Sequence, residues 1–244
     1  MPIRFRFRLV PFIATVLLVA LGIALGNWQK GRADQKTALR DRMAQRAAEA
    51  PLALGPAPTS LEPLEYRRVT VTGEFVPGWP IFLDNRPYQG RVGFYLVMPF
   101  RIANSDMHVL VARGWLPRDP ADPGKLPAYA TPAGQVTIEG TVTGSVGHLM
   151  QLGTPAKLQP GAIVQNVTPA DIGQASGLAV QPFFLQQTGP QEAGFVRDWP
   201  LPSTGIEKHQ GYAFQWYALA AMACLFFVIT GFRSGTNSHR RTSA

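Results

Sequence analysis

YAFQWYALAAMACLFFVITGF, residues 212–232, is a long apolar run without a charged side chain, and how it is read decides the fold. At about 1.5 Å per helical residue, roughly 20 apolar residues cross a hydrocarbon core about 30 Å thick. This run is therefore long enough to span a bilayer. Working outward from it, one other stretch is of the same kind: LVPFIATVLLVALGIALG, residues 9–26, also uncharged. A charged side chain at the bilayer centre costs at least a few kcal/mol, so the lack of charge in both runs fits two membrane spans.

Basic residues flank both runs on their outer sides. Arg4, Arg6 and Arg8 precede the first, and Arg233, Arg240 and Arg241 follow the second. By the positive-inside tendency, residues 1–8 and 233–244 are expected to be cytoplasmic tails, with everything between the spans exported. These arginines supply six of the net eight positive charges, leaving two for the rest of the 244-residue chain. The basic balance thus reports topology and points away from nucleic acid. A cleavable signal peptide is the alternative reading of residues 9–26, since Ala24 and Gly26 suit a peptidase that would leave Asn27 first. No amphipathic Ser/Arg-rich transit peptide precedes the run, so a bacterial inner membrane is expected.

The single cysteine, Cys224, lies inside the second run. The exported region therefore has no disulfide, thiolate metal site or cysteine nucleophile. The six methionines are scattered, without a copper-binding cluster. Residues 27–50 are rich in helix formers, with Leu39, Met43 and Ala47 four apart before Pro51, and predict a juxtamembrane helix. Residues 51–65 read as a Pro-rich linker.

From Tyr66 the apolar period becomes two, with Val69 and Val71 alternating with Thr70 and Thr72 before Gly73 and Phe75. Further strands are expected at 81–83, 94–100, 108–115, 136–142 and 163–167, separated by turn-rich segments such as 119–124 and 152–161. With 22 prolines and 24 glycines a helical bundle is unfavourable. The expected fold is an integral membrane protein, two transmembrane helices (9–26 and 209–232) flanking a β-rich (α+β) extramembrane domain at 66–208. That domain should be a mainly antiparallel sheet or partial barrel with short helices.

Four segments carry a resemblance. They are Leu25-Gly26-Asn27-Trp28-Gln29 with Arg32 and Lys36; Tyr66-Arg67-Arg68-Val69 leading to Thr72-Gly73-Glu74-Phe75; Gly93-Phe94-Tyr95 through Pro99-Phe100 to Val109-Leu110-Val111-Ala112-Arg113-Gly114-Trp115-Leu116-Pro117; and His209-Gln210-Gly211-Tyr212-Ala213-Phe214-Gln215-Trp216-Tyr217-Ala218-Leu219-Ala220. In this order and between two apolar runs, they resemble the SURF1 family, membrane proteins that assist assembly of haem-copper cytochrome c oxidase. Ala112 stands where the family often has Asn, and Glu207-Lys208 replace an Asn pair. The resemblance implies a partner in the oxidase catalytic subunit, a second in haem a synthase, and a role around insertion of haem a.

The residues supply a candidate haem site. On a helix His209, Tyr212, Ala213 and Trp216 share one face, which places an imidazole beside two aromatic rings just outside the bilayer. Neutral imidazole can ligate haem iron, aromatics can cover the macrocycle, and Lys208 and Arg197 are near enough in sequence to meet propionates. The plainer reading makes Tyr212 and Trp216 interfacial anchors and His209 a hydrogen-bonding group at headgroup level. His108, His148 and His239 read as structural or surface residues. Arg113-Gly114-Trp115 admits either a partner-docking surface or packing.

No Gly-x-Ser-x-Gly elbow, phosphate loop, His-Glu-x-x-His helix or Cys-x-x-Cys pair is present, so the chain reads as a non-enzyme. An exported hydrolase or transferase would need Glu65, Glu74, Asp84, Asp106 and Glu139 to converge in space. A third class is a cofactor-free membrane scaffold or sensor whose Ala218, Ala220, Ala221 and Ala223 let partner helices approach closely.

Overall fold

The computed structural model describes residues 5–122, 124–150, 157–190, 194–200 and 205–240, without the side chains of 233–240. It divides into two compact units: a helical one (Met1–Arg42 with Pro202–Ala244) and a β one (Met43–Leu201). The tail residues Arg4, Arg233, Arg240, Arg241 and His239, and much of 152–161, lie outside the described residues or side chains.

In the helical unit, α1 (Leu9–Ala48) is one unbroken 40-residue helix, and α3 (Ile206–Arg240) has 35 residues. The expected transmembrane and juxtamembrane helices are thus a single element, because nothing between Gly26 and Asn27 interrupts the backbone ladder. Pro11 sits in the first turn of α1, where a missing N–H breaks no intrahelical bond. The C-terminal helix begins at Ile206, earlier than the expected 209, and continues past Phe232. Both helices are long and apolar enough to cross a membrane, and only 11% of each apolar window is buried in the protein. Their outward faces are rich in exposed Leu, Val, Ile and Phe.

The helices run antiparallel, since Phe5 packs against Phe227 and Phe232 at one end while Asn27 meets Tyr217 further along. Close contact is made where side chains are absent. A Cβ on Gly22 would lie 3.0 Å from the Ala220 Cβ and from the Trp216 carbonyl oxygen, and one on Gly26 would lie 2.5 Å from the Tyr217 ring. Small residues at such points let helix backbones approach when no hydrophobic force separates helix from lipid.

In the β unit the strands are β1 (Leu52–Ala53), β2 (Arg68–Phe75), β3 (Ile81–Tyr88), β4 (Arg91–Ile102), β5 (Met107–Pro117), β6 (Val136–Thr143), β7 (Ile163–Val164) and β8 (Ala179–Gln187), with helix α2 (Pro169–Ser176) before the last. Their order is β1-β2-β6-β8-β5-β4-β3-β7, and β2 also pairs with β4. That extra pairing closes β2-β6-β8-β5-β4 into a ring, so the partial barrel expected from sequence is a closed, barrel-like sheet. Closure occurs at the end of β2, where Gly73 is partnered by both Val136 of β6 and Ile102 of β4. A side chain there would overlap the Arg101 carbonyl oxygen, which makes glycine a condition of closing the ring. Within the ring only β5–β8 is parallel.

Two apolar clusters sit on opposite faces of the sheet. The inner one includes Val69, Val71, Phe94, Leu96, Phe100, Val109, Phe183 and Phe195. Outside it, Tyr95, Val97, Leu110, Trp115, Ile172 and Phe184 form a second layer, covered in part by α2 and the 158–167 and 196–199 segments. Hence Gly93–Phe100 and His108–Leu116 are buried on both faces and read as continuous apolar runs, whereas β2, buried on one face, alternates strictly.

β8 was not expected. Its sequence, AVQPFFLQQ, lacks alternation because Phe183 faces one cluster and Phe184 the other, and it contains Pro182 although it lies between β6 and β5. The ladder skips register between His108 and Leu110 opposite Pro182, so the missing N–H falls in a bulge. α2 arises locally from a capping box, with Thr168 Oγ1 accepting from the Asp171 N–H and Asp171 accepting from the Thr168 N–H, and it ends at Gly177 in the left-handed region.

The stretch 51–65, read as a linker, is part of this domain. β1 pairs parallel with β2, and the Gln181 amide accepts from the Thr59 N–H at 3.0 Å while donating to Ala57 O at 2.8 Å. Arg46 in the last turns of α1 donates to the carbonyls of Glu62 and Glu65.

Candidate functional site

Two of the sequence motifs meet in the helical unit. His209 Nδ1 lies 2.7 Å from Gln29 Oε1, and the Tyr217 hydroxyl donates to Asn27 Oδ1 at 2.7 Å. An amide oxygen can only accept, so in the neutral imidazole this contact puts the proton on Nδ1, and Nε2 has no partner among the described residues. His209 is half-buried, and Ala213, Trp216 and Ala220 follow it along the buried or half-buried side of α3. Tyr212, at 52% exposure, lies on the outer flank instead. The structure therefore brings His209 and Trp216 to one side of α3 and sets Tyr212 apart, while the Tyr217 ring lies against Gly26 of α1. Lys208 is exposed on α3.

Gln29, Asn27 and Tyr217 were visible as motif members but not as partners of the site. The Gln29–His209 bond joins residues 180 apart, and no local periodicity links such positions. Trp28, next to Gln29, is 55% exposed and adjoins the end of the apolar run, where an indole suits the membrane interface.

In the β unit, Arg113-Gly114-Trp115 is buried and so offers no docking surface. Arg113 is 2% exposed; its guanidinium lies 4.6 Å from the ring centroids of both Phe75 and Phe195 and donates to Thr131 Oγ1 (2.9 Å) and Ala130 O (2.8 Å). Burial, reinforced by the charge of Arg197, pushes it down to about 10, so it stays charged at neutral pH. By linkage, Arg113 contributes stability that grows as pH rises above about 10, where the unfolded chain still holds the proton that the buried group has released, and the raised Tyr88, Tyr95 and Tyr129 hydroxyls oppose it. Trp115 is 4% exposed and its indole N–H donates to Arg86 O at 2.8 Å. Arg197 Nε donates to Arg113 O and its Nη1 to Pro190 O.

His108 is buried, with Nδ1 3.1 Å from Ala179 O, and His148 is exposed in a loop. The acidic residues are held separately: Glu74 pairs with Arg101, Asp84 with Arg118 (2.8 Å) and Glu139 with Arg68 (3.2 Å). Among the described residues, no three His, Cys, Asp or Glu side chains are grouped so as to hold a metal ion.

These features define a class: a barrel-like β domain between two long apolar terminal helices, whose pairing is built from a Gly-Asn-x-Gln segment and a His-x₇-Tyr segment. Comparison with known proteins agrees, as the SURF1 family model matches residues 16–221. The chain belongs to the SURF1 family. It is 27% identical over 250 residues to a SURF1-like protein of Monosiga brevicollis, covering 94% of this chain and 90% of that protein. A SURF1-like protein of Rickettsia felis is 28% identical over 231 residues, covering 92% and 96%. The cytochrome oxidase assembly protein SHY1 of Saccharomyces cerevisiae is 32% identical over 101 residues, covering 41% of this chain and 26% of SHY1.

Proposed function

We propose that this protein assists assembly of haem-copper cytochrome c oxidase, holding haem a through His209 and handing it to the oxidase catalytic subunit, with haem a synthase as the donor. Membership of the SURF1 family and similarity to SHY1, whose name states that role, support the assembly reading. The haem reading is carried by one observation, the Gln29–His209 bond, which orients a half-buried imidazole and leaves Nε2 able to coordinate iron. Trp216 and Tyr212 would cover or flank the macrocycle, and Lys208 can meet a propionate. The protein acts without a catalytic site of its own. It spans the bacterial inner membrane by α1 and α3, both termini cytoplasmic and the β domain periplasmic, in keeping with its apolar helices and arginine flanks.

The test is a gene deletion in a haem-a-producing bacterium lacking a second copy, complemented with the wild-type chain or His209→Ala. Deletion should lower oxidase activity and membrane haem a together. Protein purified from the wild-type strain should carry a haem Soret band that His209→Ala loses. Normal oxidase in the deletion would sink the assembly role. An unchanged Soret band and haem content in His209→Ala would remove only the ligand assignment, and a colourless wild-type protein that copurifies with oxidase would favour a cofactor-free scaffold.

A further inference from the structure

Trp28, Arg32 and Lys36 follow one another at four-residue spacing on α1, so they form one ridge that begins where the apolar run ends at Gly26. Trp28 is 55% exposed, Arg32 is exposed and Lys36 is half-buried. At about 1.5 Å per residue, Arg32 and Lys36 stand about 9 and 15 Å beyond Gly26 along the axis, whereas the headgroup layer of a bilayer is about 5–8 Å deep. Helix geometry narrows that gap. Cα–Cβ bonds tilt toward the helix N-terminus, which in α1 is the membrane end, and long basic stems fold back further. Lys36 shows this lean, since a Cβ on Gly205 would lie 3.9 Å from its Nζ, and Gly205 stands one turn before His209, the partner of Gln29.

The same helix separates its charges. Lys30 is paired with Asp34 at 3.4 Å and Arg40 with Asp41 at 3.5 Å. Asp34 is two residues from both Arg32 and Lys36, a spacing that points side chains to different sides of a helix. Neither Arg32 nor Lys36 has an ion-pair or hydrogen-bond partner among the described residues, and Glu207 in the first turn of α3 is paired with neither. Lys36 Nζ also stands close to the start of α3, the positive end of its dipole. An indole at the end of an apolar run, followed by two cations without a described counter-charge, suits a phosphodiester. Its oxygens take the charged donors while its acyl chains lie along the apolar residues below Trp28. We propose that this ridge binds the headgroup phosphate of an anionic phospholipid in the leaflet that α1 leaves at Gly26. The site rests on the reading of α1 as a membrane span and is independent of His209 as a haem ligand.

Dioleoylphosphatidylglycerol is the probe and dioleoylphosphatidylcholine its zwitterionic counterpart. Each is titrated at constant ionic strength into the full-length chain in neutral detergent, and lipid-bound protein is read by native mass spectrometry. Phosphatidylglycerol should bind saturably and about tenfold more tightly than phosphatidylcholine. Arg32→Gln should weaken its binding about tenfold and Lys36→Gln about fivefold, as expected for loss of one charge-assisted contact each. Lys30→Gln removes a cation that is nearer the membrane but already paired with Asp34, and should change the affinity less than about twofold. The proposal is overturned by equal affinity for the two lipids, by wild-type affinity in Arg32→Gln, or by an equal loss in Lys30→Gln, which would mean diffuse charge attraction. Displacement of the lipid by equimolar inorganic phosphate would also overturn it, in favour of a free-anion site. Failure of the membrane reading is seen separately: a chain that alkaline carbonate strips from membranes loses both readings, whereas an embedded chain without the lipid preference loses only this one.

Discussion

Gly26 is the residue on which the helix pair turns, because the Tyr217 ring occupies the space a side chain would need. Gly26→Ala should force that ring aside and destabilise the pair by about 1–3 kcal/mol, the usual cost of overpacking. Tyr217→Phe keeps the ring and loses only the hydroxyl bond to Asn27, which should cost about 0.5–1 kcal/mol. Unfolding in mixed SDS micelles, followed by tryptophan fluorescence, would measure both, and a larger effect of Tyr217→Phe would refute the steric account. The individual members of this site were legible: His209, Trp216, Gln29 and Gly26 all stand in motifs that resemble the family. Their pairing was not, because side chains 180 positions apart meet only through the antiparallel packing of two helices. Tyr212 shows the complementary limit, since helical spacing puts it near His209 but cannot tell which flank of the shared face the partner helix covers.

At the scale of elements, legibility followed burial. β2 was readable because one of its faces is buried and the other is not, and its alternation runs from Arg68 to Phe75. β8 escaped because both faces are buried and a proline interrupts it, two features that normally argue against a central strand. Phe183 and Phe184, 0% and 1% exposed, serve opposite clusters, so Phe183→Ala and Phe184→Ala should each cost about 3–5 kcal/mol. Pro182→Ala, at an exposed position in the bulge, should change stability by less than about 1 kcal/mol. Urea titration of the detergent-solubilised protein checks all three; a Pro182 effect as large as the Phe effects would mean that the bulge, not the two-sided core, holds β8 in place. The stretch at 51–65 is the converse case, because its proline content masks a short parallel strand and a Gln181 clamp supplied from far along the chain.

For the whole molecule, two units with separate interiors imply separable folding. Residues 43–201 expressed alone should give a soluble, β-rich domain with a cooperative urea transition by circular dichroism. A disordered spectrum would show that the helices are needed to form the barrel. The sequence by itself determined the chemical division of the chain: two uncharged apolar runs, arginine-flanked ends, a β-patterned middle, and the family to which the motifs belong. Those are properties of composition and short-range period, which a linear reading contains. Only the tertiary structure decided that the sheet closes at Gly73, that Arg113 is buried rather than displayed, and that Gln29 orients His209. Each depends on contacts between residues distant in the chain, and such contacts are set by packing and hydrogen-bond satisfaction across the fold rather than by any local pattern.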